Sequence, residues 1–439
     1  MRLGTFRGGV HPPDKKELAK DKPIQRLPLP DTVYVYMVNH AGAPAKVVVQ
    51  KDQEVKTGQV IGEPSGFISA YVHSPVTGKV IDIKKMYHPI IGKPVDTVVI
   101  QRTSDDEWEL LEGHGDYERM DKEQILDLIK RAGIVGLGGA MFPTHVKLNP
   151  PPDKKVDTLI INGAECEPYL TIDYRTMLER TDEIATGIKI IRKVLGVEKV
   201  YVGIEDNKPE AIKRMREVLS RDGVEVVPLR TKYPQGSEKH LIYAITGRKV
   251  PRGGLPMDVG VVVQNVGTVV AIKEAVVDGK PLVERGLTVT GEAVQNPGNF
   301  IVRIGTPAKF VLDHTGLKES VERVLFGGPM MGIALRDINI PVMKGTSGIT
   351  ALPPQITRSA EEKPCIRCSR CVMVCPMNLE PYLLVKLVQK KRYDDAVSIG
   401  LMDCIECGSC AYVCPSKIDH VRHIKLGKTV YKALRGAKR

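Results

Sequence analysis

The sequence of 439 residues lacks any long apolar run. No stretch approaches the roughly 18 apolar residues that a membrane-spanning helix needs, so we expect no transmembrane segment. The N-terminal MRLGTFRGGVHPPDKKE has no apolar region of the kind found in secretory signals. Cysteine is absent from most of the chain, since eight of the nine lie in its last quarter. Without export, these cysteines are expected to bind metal rather than to form disulfides.

Two common nucleotide-binding motifs are also missing. The glycine-rich segment GLGGAMFPTHVK has Met141 where a G-x-G-x-x-G fingerprint needs glycine, and no G-K-[ST] follows it as in a P-loop. Its glycines still expose backbone N–H groups that a phosphate could approach, and Lys147 could neutralise the phosphate charge. Taken alone, such a loop is more often a tight turn.

What the sequence does contain is a pair of cysteine runs. Both read C-x2-C-x2-C-x3-C-P, the spacing of bacterial iron–sulfur ligation, in which the fourth cysteine of each run ligates the other cluster. We therefore assign one [4Fe–4S] cluster to a first set and another to a second set. The first set is Cys365, Cys368, Cys371 and Cys414, and the second set is Cys404, Cys407, Cys410 and Cys375. Two zinc sites are the alternative, although zinc ligands usually come as separated C-x2-C pairs.

The segment between the two runs and the ninth cysteine complete this picture. Apolar residues between Met377 and Asp403 follow a helical spacing, which predicts two short helices and an all-helical two-cluster ferredoxin module. Cys166 lies far away in the sequence, so we expect it to be a bystander.

The first hundred residues predict an all-β module. From Ala45 to Ile100, short Val/Ile-rich runs alternate with turn residues, and the Thr-Gly pairs at 57–58 and 77–78 mark two similar halves. This pattern resembles the barrel-sandwich fold of lipoyl and biotinyl carrier domains. No lysine occupies the expected hairpin position, so we predict a scaffold or docking role.

Beyond residue 120, predicted strands alternate with amphipathic helices. Asp121 and Gln124 form a candidate cap for the first helix. The predicted strands are 158–161, 200–204, 224–227 and 259–263, and the predicted helices between them are 182–195 and 209–219. Such alternation implies a parallel sheet covered on both faces, which binds ligands beyond the carboxyl ends of its strands. Polar residues follow three of the strands there, beginning at Asn162, Glu205 and Gln264.

Four motifs in this region resemble, in order, those of the NADH-oxidising flavoprotein subunit of respiratory complex I. GLGGAMFPTHVK resembles its flavin loop GxGGAGFPxGxK, INGAECEP its NADESEP, YPQGSEKH its GEE segment and QNVGT its NNVET. This resemblance spans residues 120–350. Together with the N-terminal TFRGGVHPP, the β module and the cysteine runs, nearly the whole chain resembles the C subunits of Rnf electron-transport complexes.

The resemblance implies that FMN lies against the glycine loop and that NADH stacks on its ring. By position, the FMN residues are Gly136, Gly138, Gly139, Lys147, Asn162, Glu165, Gln264, Asn265 and Thr268, and the NADH residues are Phe142, Glu167 and Glu238. Three positions depart from the complex I pattern: Leu137 replaces an arginine, Ala164 replaces an aspartate, and Gly236-Ser237-Glu238 keeps one carboxylate of GEE. No side chain is expected to act as a catalytic nucleophile or base.

The resemblance also implies a multidomain α/β protein with four domains. The first, 1–115, is a barrel-sandwich (lipoyl-like) module with an extended N-terminus, and the second, 116–280, is a Rossmann-like FMN- and NADH-binding domain with a parallel sheet. The third, 281–350, is a β-grasp domain of the SLBB type, and the fourth, 351–439, is an α-helical ferredoxin-like module with two [4Fe–4S] clusters and a basic tail.

The implied function is that of an electron-transfer subunit of a membrane-bound ferredoxin:NAD+ oxidoreductase, with ion translocation in other subunits. Expected partners are integral-membrane subunits, an iron–sulfur subunit and NADH, and the expected place is peripheral, on the cytoplasmic side of the inner membrane. Two alternatives stay open. One is a cobalamin-reductase-like flavin and iron–sulfur protein, whose two-cluster module precedes its β-grasp domain. The other is a docking subunit with active clusters and a degenerate nucleotide site.

The formal net charge of +12 is concentrated at the C-terminus, where residues 416–439 hold eight Lys or Arg against one Asp. A basic, partly apolar tail suits an anionic membrane surface or an acidic partner, and a solvated terminal helix is the alternative. No groove-reading motif accompanies this charge, so we expect no nucleic-acid partner.

Overall fold

The computed structural model describes residues 3–357 and 361–436. Its N-terminal part contains two small antiparallel sheets, which confirms the predicted β module. Their strands are β2 (Thr32–Tyr36), β3 (Lys46–Val47), β4 (Glu54–Val55), β5 (Val60–Glu63), β6 (Val72–His73), β7 (Gly78–His88) and β8 (Lys93–Arg102). The short strand β1 (Ile24–Arg26) precedes them and belongs to another sheet. One sheet has the order β2-β8-β7-β4 and the other β3-β5-β6. Alternate residues such as Val33, Val35 and Val98 are fully buried in the core of this module.

The next part is a parallel sheet with helices between its strands. Its elements are α1 (Lys122–Arg131), α2 (Thr144–Lys147), β9 (Thr158–Asn162), α3 (Ile172–Glu179), α4 (Thr181–Leu195), β10 (Lys199–Glu205), α5 (Pro209–Leu219), β11 (Glu225–Leu229), α6 (Glu238–Thr246), β12 (Val261–Asn265) and α7 (Val266–Val277). The sheet order is β11-β10-β9-β12, and all three strand pairs are parallel. Asp121 and Gln124 form the predicted capping box of α1.

A mixed six-stranded sheet follows. Its elements are β13 (Glu284–Thr290), β14 (Gly298–Arg303), α8 (Ala308–Thr315), β15 (Arg323–Phe326), β16 (Ile333–Ala334) and β17 (Gly348–Leu352), with α9 (Pro354–Thr357) beyond them. The order is β1-β14-β13-β17-β15-β16, so the edge strand comes from the N-terminal segment, with Ile24 opposite Asn299. The sequence-based domain boundaries remain predictions.

The C-terminal part is helical, as the spacing of its apolar residues predicts. It consists of α10 (Arg370–Val374), α11 (Pro381–Gln389), α12 (Tyr393–Ser398), α13 (Ser409–Tyr412) and α14 (His420–Gly436). Leu384, Val388, Ala396, Leu401 and Ile424 form its small core. The basic tail forms α14, and residues 437–439 lie outside the described residues. Over the described ranges, no helix combines the length and apolar character that crossing a bilayer requires.

The N-terminal segment lies between the parallel sheet domain and the helical module. Val10 and Tyr233 exchange two backbone hydrogen bonds of 2.8 and 2.9 Å, and the N–H of Gly9 donates to the carbonyl of Val374 at 2.8 Å. Gly8 has a φ of +84°, and a β-carbon there would lie 3.0 Å from the Val374 oxygen. The TFRGGV segment therefore packs between the two domains, and its glycines permit the close approach of its backbone to that of the helical module.

Lys344 connects three parts of the chain. Its Nζ donates to the carbonyl oxygens of Tyr71 in the β module (3.0 Å) and Gly133 at the end of α1 (2.7 Å). The side chain is fully buried, and this burial lowers the pKa of Lys344 from 10.5 to about 7.

Because the pKa of Lys344 is lowered in the folded protein, we expect the free energy of unfolding to rise with pH. Between pH 7 and 10.5 the unfolded chain holds more of the Lys344 proton than the folded chain does. The free energy of unfolding therefore rises through Lys344 by roughly 1.4 kcal/mol per pH unit. The variant Lys344→Met lacks the titrating group and should lack this rise. Guanidinium unfolding midpoints of the original chain and of the variant, measured at pH 7 and pH 9, test the expectation. If the difference between the two midpoints is the same at both pH values, the expectation is wrong.

Candidate functional site

The glycine loop closes on itself and leaves its tip exposed. The N–H of Gly136 donates to the carbonyl of Phe142 (2.9 Å), and the N–H of Met141 donates back to Gly136 (3.1 Å). Gly139 has a φ of +103°, in the left-handed region that favours glycine. Residues 138–140 are exposed, so their backbone is free to contact a ligand.

Side chains from the carboxyl end of the sheet hold this loop. The Thr268 hydroxyl accepts a hydrogen bond from the N–H of Leu137 at 2.9 Å. Asn265 caps α7 with its side-chain oxygen, and a β-carbon on Gly138 would lie 3.5 Å from the Asn265 side chain. Asn162 stands opposite Asn265 in the parallel pairing of β9 and β12. The structure thus brings together the predicted FMN residues of three separate motifs.

Two observations bear on whether these residues could hold a flavin nucleotide. A β-carbon on Gly139 would meet no atom within 4 Å, so the exposed side of the loop is open. Gln264 is 2% exposed, and its Nε2 has no hydrogen-bond partner among the described residues. A buried, unpaired donor requires an acceptor, and flavin offers several.

Lys147 and Glu238 form an ion pair. Their Nζ and Oε1 atoms are 2.6 Å apart, and the side chains are 26% and 38% exposed. Asn162 reaches the same region, since its Nδ2 donates to the carbonyl of Gly236 at 2.8 Å. A residue predicted for FMN therefore lies beside one predicted for NADH.

The carboxylates of Glu165 and Glu167 are engaged by backbone N–H groups. Glu165 accepts from Asp173 (2.7 Å) and Tyr174 (3.3 Å) at the start of α3, and Glu167 accepts from Met330 (2.6 Å) in the turn after β15. Burial raises the pKa of Glu165 and of Glu167 to about 7. Both residues fix the path of the INGAECEP loop, and their predicted contacts with FMN and NADH stay predictions.

Two buried lysines hold the same loop, and no feature of the sequence singles them out. Lys208 Nζ donates to the carbonyl of Ala164 (2.7 Å) and to Glu205 Oε2 (3.2 Å). Lys16 Nζ donates to the carbonyl of Glu167 at 3.1 Å, and burial lowers the pKa of Lys16. Both lie in polar stretches, DKKE and EDNKPE, where a lysine is expected to be solvated.

The eight clustered cysteines surround two cavities. One cavity is lined by Cys365, Cys368, Cys371 and Cys414, and the other by Cys375, Cys404, Cys407 and Cys410. Each cavity thus takes three cysteines from one run and the fourth from the other run, the grouping that the sequence predicts.

The second set packs against the parallel sheet domain. The Tyr233 hydroxyl donates to the carbonyl of Cys407 at 2.7 Å, and His240 Nε2 lies 3.0 Å from the carbonyl of Pro376. Cys166 is packed in the same apolar cluster as Tyr233 and Cys407, and burial raises its pKa. Cys166, distant in sequence, is therefore beside the second set in space.

Comparison with known families agrees with this geometry. Residues 4–105 match the RnfC barrel sandwich hybrid domain, residues 129–274 the Nuo51 FMN-binding domain, residues 287–334 the SLBB domain, and residues 364–418 the 4Fe–4S dicluster domain. The fold and the two sites define a flavin- and iron–sulfur-dependent electron-transfer protein. The dicluster match decides against the zinc alternative.

The relatives identify the family. The C subunit of the proton-translocating ferredoxin:NAD(+) oxidoreductase complex of Clostridium ljungdahlii is 50% identical over 90% of this chain and 86% of its own length. Its Na(+)-translocating counterpart from Acetobacterium woodii is 46% identical over 92% of this chain and 91% of its own length. The chain belongs to the RnfC family, the C subunits of Rnf complexes.

A solved structure shares the fold. An NAD+-reducing [NiFe]-hydrogenase chain matches with a TM-score of 0.53 and 20% identity, covering 71% of this chain and 62% of the hydrogenase chain.

Proposed function

We propose that the chain is the subunit of an Rnf-type ferredoxin:NAD+ oxidoreductase that exchanges hydride between NAD(H) and FMN and passes single electrons through two [4Fe–4S] clusters. Family membership supports the proposal. The observation that carries it is the contact of the second cysteine set with the segment 233–240, whose Glu238 pairs with Lys147 of the glycine loop. This contact joins the nucleotide residues to the cluster ligands within one packed region.

The roles of the residues follow from where they lie. The exposed backbone of residues 138–140 and the ammonium of Lys147 would bind the phosphate of FMN. Asn265 and Thr268 hold the loop, and the unpaired Nε2 of Gln264 would donate to the flavin. Phe142 and Glu238 contact the nicotinamide nucleotide. FMN supplies the chemistry of accepting a hydride and releasing electrons one at a time. The protein's part is to place the groups and to exclude competing reactions.

The two cysteine sets have different positions. The second set holds the cluster nearer to the nucleotide residues, and the first set holds the cluster nearer to solvent, because Cys368 is its exposed member. The chain thereby presents a path from the nucleotide site to its own surface. The four sequence-based segments 1–115, 116–280, 281–350 and 351–439 are proposed as its domains.

Partners and location are proposed on the same grounds. Other Rnf subunits, including integral-membrane subunits and an iron–sulfur subunit, bind this chain and hold it on the cytoplasmic side of the inner membrane. The basic helix α14, with exposed Leu426 and Leu434, suits an anionic membrane surface or an acidic partner. Ion translocation then belongs to the membrane subunits.

Anaerobic reconstitution tests the proposal. The purified chain, loaded with iron, sulfide and FMN, is expected to retain the flavin, and NADH is expected to bleach the flavin absorbance and then that of the clusters. In Lys147→Glu, loss of a charge-assisted contact is expected to weaken FMN binding about 10- to 100-fold and to leave the iron content unchanged. The matched variant Glu238→Gln frees Lys147 and should bind FMN as well as the original chain.

The opposite results separate the alternatives. A chain that retains no FMN, and whose dithionite-reducible clusters do not respond to NADH, is a docking subunit with a degenerate nucleotide site. Loss of both FMN and iron in Lys147→Glu indicates misfolding rather than a lost contact.

A further inference from the structure

The two cysteine sets differ in their exposure. In the first set Cys368 is exposed and Cys365 is half-buried, whereas the second set has no exposed member. Next to Cys368, the side chain of Ile366 is 68% exposed. The cavity of the first set therefore opens onto the surface of the protein, and every residue that lines it belongs to the helical module.

The surface around this opening carries unpaired positive charge. We define the rim as Lys363, Ile366, Arg367, Arg370, Met373 and Lys417, all exposed. Arg367 and Arg370 line the cavity, and none of the described residues that line it carries a carboxylate. None of the four cations of the rim has an ion-pair partner within 4.0 Å among the described residues, although 31 such pairs exist elsewhere in them.

Two of the neighbouring carboxylates have partners of their own. Glu362 accepts a hydrogen bond from the N–H of Asp419 (2.9 Å), and Asp419 accepts one from the N–H of Arg422 (3.0 Å). Both contacts hold the start of α14 and remove two carboxylates from competition for the rim. The cations of the rim are thus available to an outside partner.

The rim also has the composition of a transient docking site. Ile366 and Met373, 68% and 66% exposed, are apolar side chains among the cations, and the unbranched side chain of Met373 is adaptable. Small apolar centres with charged surroundings are found in weak, fast interfaces, where charge complementarity governs the association rate. Single-electron exchange needs such short-lived contact at the point where the cluster is closest to the surface.

We propose that the rim docks an acidic iron–sulfur protein that exchanges electrons with the cluster of the first set. This inference rests on the proposed function and names the chemistry of the partner. In each encounter one electron leaves the reduced cluster on one side and reduces the cluster on the other by one electron, with no bond made and no proton moved. The acidic partner places its carboxylates against Arg367 and Arg370, and its apolar surface against Ile366.

The test measures binding directly, so that it does not depend on turnover. The probe is a small, strongly acidic ferredoxin with two [4Fe–4S] clusters, titrated against the oxidised full chain with its clusters and FMN in place, at low and high salt. The variant Arg367→Glu with Arg370→Glu is compared with Lys390→Glu and Lys391→Glu, an equal charge change on exposed lysines at the far end of α11. Iron content is measured for every protein.

The expected result is binding weakened about 10- to 100-fold in the rim variant at low salt, with little change at high salt and none in the control. The milder Arg367→Gln with Arg370→Gln should lie between them, which keeps the test valid if charge reversal lowers the iron content. Equal weakening in the rim and control variants, or in neither, overturns the proposal. It is also overturned if the rim variant loses only its binding to anionic phosphatidylglycerol vesicles, which would make the rim a membrane-facing surface.

The two hypotheses fail in different ways. If NADH reduces the clusters but ferredoxin binding does not depend on the rim, the proposed function stands and the docking site is elsewhere. If the rim binds ferredoxin but NADH reduces neither flavin nor clusters, the docking site stands and the nucleotide function is wrong.

Discussion

Replacing Cys375 with alanine is expected to remove the cluster of Cys404, Cys407 and Cys410, although Cys375 belongs by sequence to the other run. Helix α10 ends at Val374, and Cys375 has an extended backbone with φ −64° and ψ 114°. Its side chain consequently lines the cavity of the second set instead of that of its own run. The iron content should fall from about eight to about four atoms per chain, because one of two [4Fe–4S] clusters is lost.

Mapping the released thiols decides the assignment. Alkylation followed by mass spectrometry should label Cys404, Cys407 and Cys410 in Cys375→Ala and leave the first set protected. In the matched variant Cys371→Ala, which alters the first set, Cys365, Cys368 and Cys414 should react instead. Labelling of Cys365, Cys368 and Cys371 in Cys375→Ala would mean that each run binds its own cluster.

The second large effect is expected from Glu205→Ala. The side chains of Glu205 and Lys208 are 2% and 3% exposed, and Glu205 Oε2 lies 3.2 Å from Lys208 Nζ. Removing the carboxylate leaves a buried ammonium without its nearest counter-ion, a change that costs about 3–5 kcal/mol. Because Lys208 also holds the carbonyl of Ala164, the INGAECEP loop beside the flavin residues should loosen.

Hydrogen exchange suits this prediction, because it measures the local opening of a single strand within a chain of several parts. The amides of Val202 and Ile204 in β10 should exchange about 10²- to 4 × 10³-fold faster in Glu205→Ala. The double variant Glu205→Ala with Lys208→Met removes both charges and should recover most of the loss. Glu217→Ala, on an exposed site of α5, is the control. An increase below about threefold in Glu205→Ala, or no recovery in the double variant, contradicts the account.

Local patterns predicted the elements well. The alternation of strands and helices indicated the parallel sheet, with bounds that match to within one or two residues at β9, β10 and α5. Helical spacing predicted α11 and α12 between the cysteine runs. These patterns succeed because each element must bury one face, and the period of its apolar residues records that face.

The long-range contacts were not visible in the sequence. Residues 24–26 form the edge strand of a sheet whose other members begin at residue 284. Lys16, Lys208 and Lys344 look like ordinary surface lysines, and the structure buries all three. Periodicity reports which face of an element is buried, but it does not report which distant carbonyl or carboxylate will meet a particular lysine.

The sequence alone determined the chemistry that this protein carries: two crossed cysteine sets, a glycine loop with Lys147, and polar residues at the ends of three strands. Only the tertiary structure decided which cysteine set lies against the parallel sheet domain and which lies at the surface. Tyr233 and His240 pack against the second set, while Cys368 of the first set remains exposed between Arg367 and Arg370. The physical reason is that the spacing of the cysteines is a local property of the chain. The order of the two cysteine sets between the nucleotide site and the surface depends instead on which distant surfaces pack together.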